Sequence, residues 1–199
     1  MARPGKMRYF QATLPSSPRP VPHSSRGYTL VELLAVVTIT GILSVLAVVG
    51  FRRHMQASRG GEAISVIQAI RSSEEAYMAE NHAYLNVSTD SEGRNWYPQT
   101  TPSTTRYPFV KAAHADYQRW RRLAPAINGT VLFGYLVNAG VPGTNIPALQ
   151  VTDAPAFAAA QPLDWYVIQA SGDVDGNGVF SRYASTSLTG EIYIEKEGE

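Results

Sequence analysis

The chain has no cysteine among its 199 residues, which excludes both a disulfide bridge and a thiolate metal site. Its four histidines are scattered, and the sequence contains no nucleophile elbow, phosphate-binding loop or paired-carboxylate signature. Charged residues make up only 17% of the composition, and one long run is almost free of them. We therefore do not expect an enzyme, and the uncharged run is the most informative segment of the chain.

The uncharged run covers residues 28–51, in which Glu32 is the one charged side chain. A helix of that length covers roughly 36 Å, enough to cross a bilayer core of about 30 Å, so we predict a membrane-spanning helix. A carboxylate at the centre of a bilayer costs on the order of 3 kcal/mol, and less near its surface. Glu32 is therefore either an interfacial side chain that reaches the headgroups or a functional group with a partner.

Basic residues are concentrated ahead of this run. Residues 1–27 contain five of the 17 lysines and arginines, no acidic residue and several prolines, which is typical of a disordered processing segment that stays in the cytoplasm. Without this segment the formal charge is −4. We therefore do not expect the rest of the chain to bind nucleic acid in bulk.

Residues 27–32 (GYTLVE) join the basic segment to the apolar run. This arrangement resembles the prepilin signal of type IV pilins and of type II secretion pseudopilins: a glycine, a scissile bond, an aromatic residue and a glutamate four residues further on. The resemblance implies cleavage after Gly27 by a prepilin peptidase and N-methylation of Tyr28. It also implies that Glu32 pairs with the Tyr28 amine of a neighbouring subunit inside a filament.

The resemblance implies partners and a location as well. The partners would be membrane lipid, other pilin or pseudopilin subunits and an inner-membrane assembly platform, and the filament would be a pilus or a secretion pseudopilus. Before assembly the chain would cross the bacterial inner membrane once with its N-terminus in the cytoplasm, and afterwards it would lie in a periplasmic or cell-surface filament. The alternative is a membrane-anchored periplasmic binding domain that does not polymerise.

The pattern of the remaining residues, 52–199, predicts one α+β domain. Residues 52–82 are predicted to form an amphipathic helix, whose apolar stripe is Ala63, Val66, Ile67, Ile70, Tyr77 and Met78. Gly60 and Gly61 within it indicate a bend or weak point, and the alternative is a tolerated glycine pair with no role. Residues 83–129 form a variable loop, and 130–199 form an antiparallel sheet of about four strands. The predicted fold is pilin-like, with a long N-terminal helix packed on this sheet.

Four segments are predicted as strands, and one as a short helix. The strands are residues 130–139, 165–170, 179–183 and 191–195. The helix lies within residues 109–124, where aromatic and apolar side chains alternate with three arginines. This alternation is typical either of a nucleic-acid or partner patch or of a packed stripe beside solvated arginines, and we favour the packed stripe.

Residues 173–178 (DVDGNG) match the first half of a calcium-binding loop, with oxygen-bearing side chains at alternate positions and glycine at the sharp turn. The predicted ligands are Asp173, Asp175 and Asn177 through their side chains, Val179 through its carbonyl and Ser181 directly or through water. The twelfth position, where a bidentate acid is expected, is Ala184. A hairpin turn without metal is the alternative. Pseudopilins of the type II secretion family are similar in having a calcium loop in the C-terminal sheet.

Overall fold

The computed structural model describes residues 27–157 and 160–198 of the chain. The predicted leader, residues 1–27, therefore lies outside the described residues except for Gly27. The helices are α1 (Leu30–Asn81) and α2 (Tyr117–Leu123). The strands are β1 (Tyr107–Pro108), β2 (Thr130–Val131), β3 (Gly134–Gly140), β4 (Trp165–Gly172), β5 (Ser181–Thr186) and β6 (Ile192–Glu195). The chain divides into two compact units, with the boundary between Leu43 and Ser44.

The first turns of α1 belong to the N-terminal unit. Over residues Leu30–Phe51, 22 in all, the helix is long and apolar enough to cross a membrane. None of the side chains in this stretch is buried. An exposed apolar surface of this extent is unfavourable in water, because burial of each large side chain is worth about 1.5–3 kcal/mol.

The second half of α1 packs on the sheet of its own unit. Ala63, Val66, Ile67 and Ile70 are buried in one core cluster, and Tyr77 packs against that cluster. The predicted apolar stripe is therefore confirmed for these five residues, whereas its sixth member, Met78, is half-buried and lies outside the cluster. The helix continues through Gly60 and Gly61. A Cβ at Gly60 would lie 2.8 Å from Tyr183 Oη, so glycine allows a close approach between helix and sheet there.

The main sheet has four antiparallel strands, as predicted, and their order is β3-β4-β5-β6. Its helix-facing side carries Tyr166, Ile168, Ala170 and Tyr183 in the same core cluster as the α1 stripe. On the opposite side Trp165 and Val167 form a smaller cluster with Ile146. The sheet is thus covered on both faces, and the predicted α+β class is confirmed.

The first predicted strand, residues 130–139, was wrong as one element, because it divides into β2 and β3. β2 pairs with β1 in a separate two-stranded sheet, and β1 itself was missed. The break occurs at Leu132, whose backbone N–H donates to Glu62 Oε1 at 2.8 Å and whose carbonyl accepts from Gln99 Nε2 at 2.9 Å. Because side chains occupy both backbone groups, Leu132 cannot continue a ladder.

Glu62 also connects α1 to the chain ahead of β1. Its Oε2 forms an ion pair with the Arg106 guanidinium, and Arg106 Nη1 donates to the Thr130 carbonyl at 3.2 Å. The Glu62 side chain is only 21% exposed. Its carboxylate connects helix α1 both to Arg106, ahead of β1, and to Leu132, where the predicted strand breaks.

The third predicted strand, residues 179–183, was placed too early, since β5 begins at Ser181 and ends at Thr186. The backbone N–H of Val179 is used inside the preceding loop, where it donates to Asn177 Oδ1 at 2.6 Å. The second and fourth strands agree with prediction except at their ends, because β4 extends to Gly172 and β6 begins at Ile192.

Helix α2 is shorter than the predicted segment 109–124. Trp120 and Leu123 are buried, whereas Arg119, Arg121 and Arg122 are exposed. The Trp120 ring stacks on Tyr97, with ring centroids 4.9 Å apart. These contacts are those of a packed stripe beside solvated arginines, which was the favoured interpretation.

Two glycines of β3 lie beneath tryptophan side chains. A Cβ on Gly134 would overlap the Trp96 side chain, and one on Gly140 would overlap the indole of Trp165, each at a separation that real Cβ atoms do not show. Glycine is therefore required at both ends of this strand by its neighbours.

Candidate functional site

The start of α1 is fixed by a reciprocal pair of side chains, Thr29 and Glu32. Glu32 Oε2 accepts hydrogen bonds from the backbone N–H and from the hydroxyl of Thr29, both at 2.8 Å. In return, the Glu32 backbone N–H donates to Thr29 Oγ1 at 3.2 Å. This is a capping box with Thr29 as the N-cap residue, and it satisfies donors that the first helical turn leaves without partners.

The predicted cleavage site lies immediately before this cap. Gly27 and Tyr28 are both exposed, and 81% of Tyr28 is accessible. Gly27, Tyr28 and Glu32 are separated by at most five positions, so the structure brings the predicted processing and assembly residues together at one helix end.

The predicted calcium loop joins β4 to β5 and is held by its own acidic side chains. Asp173 Oδ1 accepts from the Gly176 N–H at 2.7 Å, and its Oδ2 accepts from the Gly178 N–H at 3.3 Å. Asp175 Oδ1 accepts from the Asn177 N–H at 3.1 Å. Gly178, at the sharp turn, has φ +81°. The loop therefore folds through Asx turns, and two carboxylates and one amide remain close together.

The fifth predicted ligand, Ser181, is fully buried. Its hydroxyl donates to the Lys196 carbonyl at 2.8 Å and accepts from the Gly198 N–H at 3.1 Å. A direct role as a ligand would compete with these two bonds, which hold the C-terminal residues in a chain that has no disulfide. Within residues 27–157 and 160–198, no three His, Asp or Glu side chains are grouped to hold a metal ion. The two carboxylates, the amide and the Val179 carbonyl are nevertheless hard oxygen donors, which suit Ca²⁺ when water completes the shell.

Comparison with known proteins identifies the N-terminal segment. The family described as "Prokaryotic N-terminal methylation motif" matches residues 22–48, which contain the predicted cleavage site, the capping box and most of the apolar run. The chain is also 26% identical over 130 residues to the type II secretion system core protein G of Klebsiella michiganensis. The chain is a distant homologue of type IV pilins and type II secretion pseudopilins.

The matches of this pilin-like chain differ in extent. The core protein G alignment covers 61% of the chain and 89% of the relative. The core protein G of Escherichia coli is 28% identical, over 46% of the chain and 65% of the relative. The type IV major pilin PilA of Myxococcus xanthus is 30% identical over 66 residues, which are 33% of the chain and 30% of that pilin. No solved structure matches. These relatives confirm the expectation that the chain is structural and not catalytic.

One residue of the pilin-like site was missed from the sequence. Thr29 stands three positions before Glu32, and a threonine followed by glutamate at that spacing is the sequence signature of a capping box. Neither interpretation of Glu32 from the sequence, a side chain that reaches the headgroups or one that pairs with a neighbouring subunit, includes this signal. Its carboxylate in fact has two partners within the same helical turn.

Proposed function

We propose that the chain is a filament subunit that is cleaved after Gly27, N-methylated at Tyr28 and assembled through α1 into a pilus or pseudopilus. The observation that carries the proposal is the apolar stretch Leu30–Phe51, in which every side chain is exposed and the one carboxylate stands at the start. Such a surface needs a membrane before assembly and packed neighbours after it.

The proposed location and partners rest on this stretch together with the match of residues 22–48 to the methylation motif. The basic leader is expected to keep the N-terminus in the cytoplasm, so the precursor crosses the inner membrane once. A prepilin peptidase would cut the exposed Gly27–Tyr28 bond, and an inner-membrane platform would add the subunit to others of its kind. The core protein G match, which covers 89% of that relative, favours a secretion pseudopilus over a surface pilus.

The test is mass spectrometry of the N-terminal peptide, made separately on sheared surface filaments and on inner membranes. A peptide that begins at N-methylated Tyr28 in the membrane fraction alone is the expected result for a pseudopilus subunit. The same peptide in the sheared fraction would indicate a surface pilus. An intact leader in both fractions would contradict processing and would leave the membrane-anchored binding domain as the better explanation.

Calcium binding by the β4–β5 loop is the second part of the proposal. Its support is the spacing of Asp173, Asp175 and Asn177, together with the turn geometry that keeps these side chains close. No protein cation forms an ion pair with either aspartate among the residues that the structure describes. A bound cation would offset the mutual repulsion of the two carboxylates and stabilise the folded loop.

Calcium is expected to raise the melting temperature of the full chain in neutral detergent by about 3–5 °C. A ligand at ten times its Kd stabilises by about 1.4 kcal/mol, and extracellular calcium sites have Kd values of about 10⁻⁴–10⁻³ M. Asp175→Asn should remove the shift, whereas Asp153→Asn, an exposed acid outside the loop, should retain it. No shift at 10 mM calcium, or the same shift in Asp175→Asn, would leave the metal-free hairpin as the correct description.

A further inference from the structure

Glu74 is a fully buried carboxyl near the C-terminal end of α1. Its Oε2 accepts a hydrogen bond from the Leu85 backbone N–H at 2.9 Å. Its Oε1 has no hydrogen-bond partner, and no arginine or lysine forms an ion pair with Glu74 in the described part of the chain. An ionised carboxylate in such a place costs several kcal/mol, because the lost hydration is not replaced.

The surroundings of Glu74 contain more negative than positive charge. Glu75 on α1 and Tyr84 in the segment after α1 interact electrostatically with Glu74 itself. The groups next to these two are Asp164, which interacts with Tyr84, and Tyr166 of β4, which interacts with Glu75 and Arg71. The Glu75 carboxylate accepts from the Tyr166 hydroxyl at 3.1 Å and from the Tyr84 hydroxyl at 3.4 Å. Arg71, the one cation of the group, donates to the Gly190 carbonyl at 2.8 Å.

Burial raises the pKa of Glu74 from its ordinary value of 4.5 to about 7. The Leu85 N–H opposes this rise in pKa, and the negative charge of Glu75 adds to it. Glu74 therefore carries a proton in mildly acidic solution while the fold is closed around it.

The Leu85 hydrogen bond lies in the middle of the segment that reverses the chain after α1. This segment, residues 82–87, runs from the helix end at Asn81 to Ser88, whose N–H donates to the Val137 carbonyl at 2.8 Å. The Glu74–Leu85 hydrogen bond thus attaches the middle of this segment to α1, between its two fixed ends at Asn81 and Ser88.

We propose that Glu74 is a proton-controlled latch, which holds residues 82–87 against α1 while its carboxyl is protonated and releases them when it ionises. In the closed form an ionised Glu74 would lie buried beside the Glu75 carboxylate. In the open form water would solvate the charge. Opening therefore releases a proton, and the proposal does not depend on filament assembly.

The direction of the pH effect follows from linkage. The closed form has the higher pKa, so its stability relative to the open form is fully present below about pH 4.5. The opening constant then rises about tenfold per pH unit until the carboxyl of the closed form also ionises near pH 7, and it is level above that.

Amide hydrogen exchange of Leu85, measured in the full chain in neutral detergent and expressed relative to the intrinsic exchange rate, tests the latch. Protection is expected to fall about 40-fold between pH 5 and pH 7, by about a further factor of two above pH 7, and then to remain constant. Glu74→Gln keeps an acceptor for the Leu85 N–H without an ionisable group, so its protection should not change with pH. Glu80→Gln, at an exposed position on the same helix, should behave like the unmodified chain.

Protection that does not change between pH 5 and pH 7 in the unmodified chain would overturn the latch, and so would an equal decline in Glu74→Gln. If Glu74→Gln does not fold, carbon NMR of the Glu74 carboxyl in the unmodified chain decides the question. A titration midpoint near the ordinary glutamate value would contradict the proposal, and a midpoint near neutral pH supports it.

Discussion

Glu32→Ala is expected to reduce incorporation into filaments by about 100-fold or more, while the chain remains inserted in the membrane. In the proposed filament, Glu32 is the partner of the Tyr28 amine of a neighbouring subunit. Its loss would leave a buried unpaired charge, which costs about 3–5 kcal/mol, and every 1.4 kcal/mol is a factor of ten. The measurement is the fraction of processed chain recovered in sheared or pelleted filaments.

The capping box makes Glu32→Ala alone ambiguous, because that change also removes a helix cap. Glu32→Gln separates the two roles: glutamine can complete a capping box but carries no charge. Thr29→Val is the converse control, since it removes the cap, at a cost of about 1 kcal/mol, and keeps the carboxylate. If the charge drives assembly, Glu32→Gln should fail to assemble and Thr29→Val should assemble.

The opposite pattern, in which Glu32→Gln assembles normally and Thr29→Val does not, would assign Glu32 to capping alone. Normal assembly of Glu32→Ala would contradict the proposed charge pairing. In each variant the N-terminal peptide must first be shown to begin at Tyr28, so that a defect in processing is not mistaken for a defect in assembly.

Glu62→Ala is expected to destabilise the C-terminal unit by about 2–3 kcal/mol and to lower its melting temperature by about 5–10 °C. The change leaves the buried N–H of Leu132 without an acceptor, which costs about 1–3 kcal/mol. It also leaves the half-exposed Arg106 guanidinium without its ion pair, which contributes less because solvent screens it.

A graded series of variants tests this assignment by thermal or urea denaturation of the full chain in neutral detergent. Arg106→Gln keeps the Leu132 bond and should cost about 1 kcal/mol or less. Glu62→Gln keeps an acceptor and should fall between Arg106→Gln and Glu62→Ala. Glu80→Ala, at an exposed position of the same helix, should change stability by less than about 0.5 kcal/mol. Equal effects of Glu62→Ala and Glu80→Ala would show that the contact with Leu132 contributes nothing.

The sequence was sufficient for features that repeat over many residues. The apolar run before Phe51, the helical stripe around Ile67 and the β-forming segment at 165–170 each rest on several side chains that agree. Local patterns of this kind indicate which face of a helix is buried and how long an apolar helix is. Neither of these two properties depends on distant parts of the chain.

Features that depend on one long-range contact could not be predicted from the sequence. Residues 130–139 are rich in β-forming residues, and the strand breaks at Leu132 because Glu62 and Gln99, 70 and 33 positions away, occupy its backbone groups. The burial of Glu74 is of the same kind, since nothing in its neighbours distinguishes it from the exposed Glu75. Calcium binding by the loop at Asp173 stays a prediction.

The glycines at the two ends of β3 have a consequence for how the sheet reaches its correct pairing. A strand that slips by two residues keeps the same side chains on each face, so burial alone discriminates poorly against that error. In this sheet a two-residue slip would move Gly134 from beneath Trp96 and bring Leu132 or Leu136 there, where no side chain fits. Gly140 beneath Trp165 applies the same restriction at the other end. Steric contact with the two tryptophans therefore permits the observed register of β3 and disfavours registers shifted by two residues.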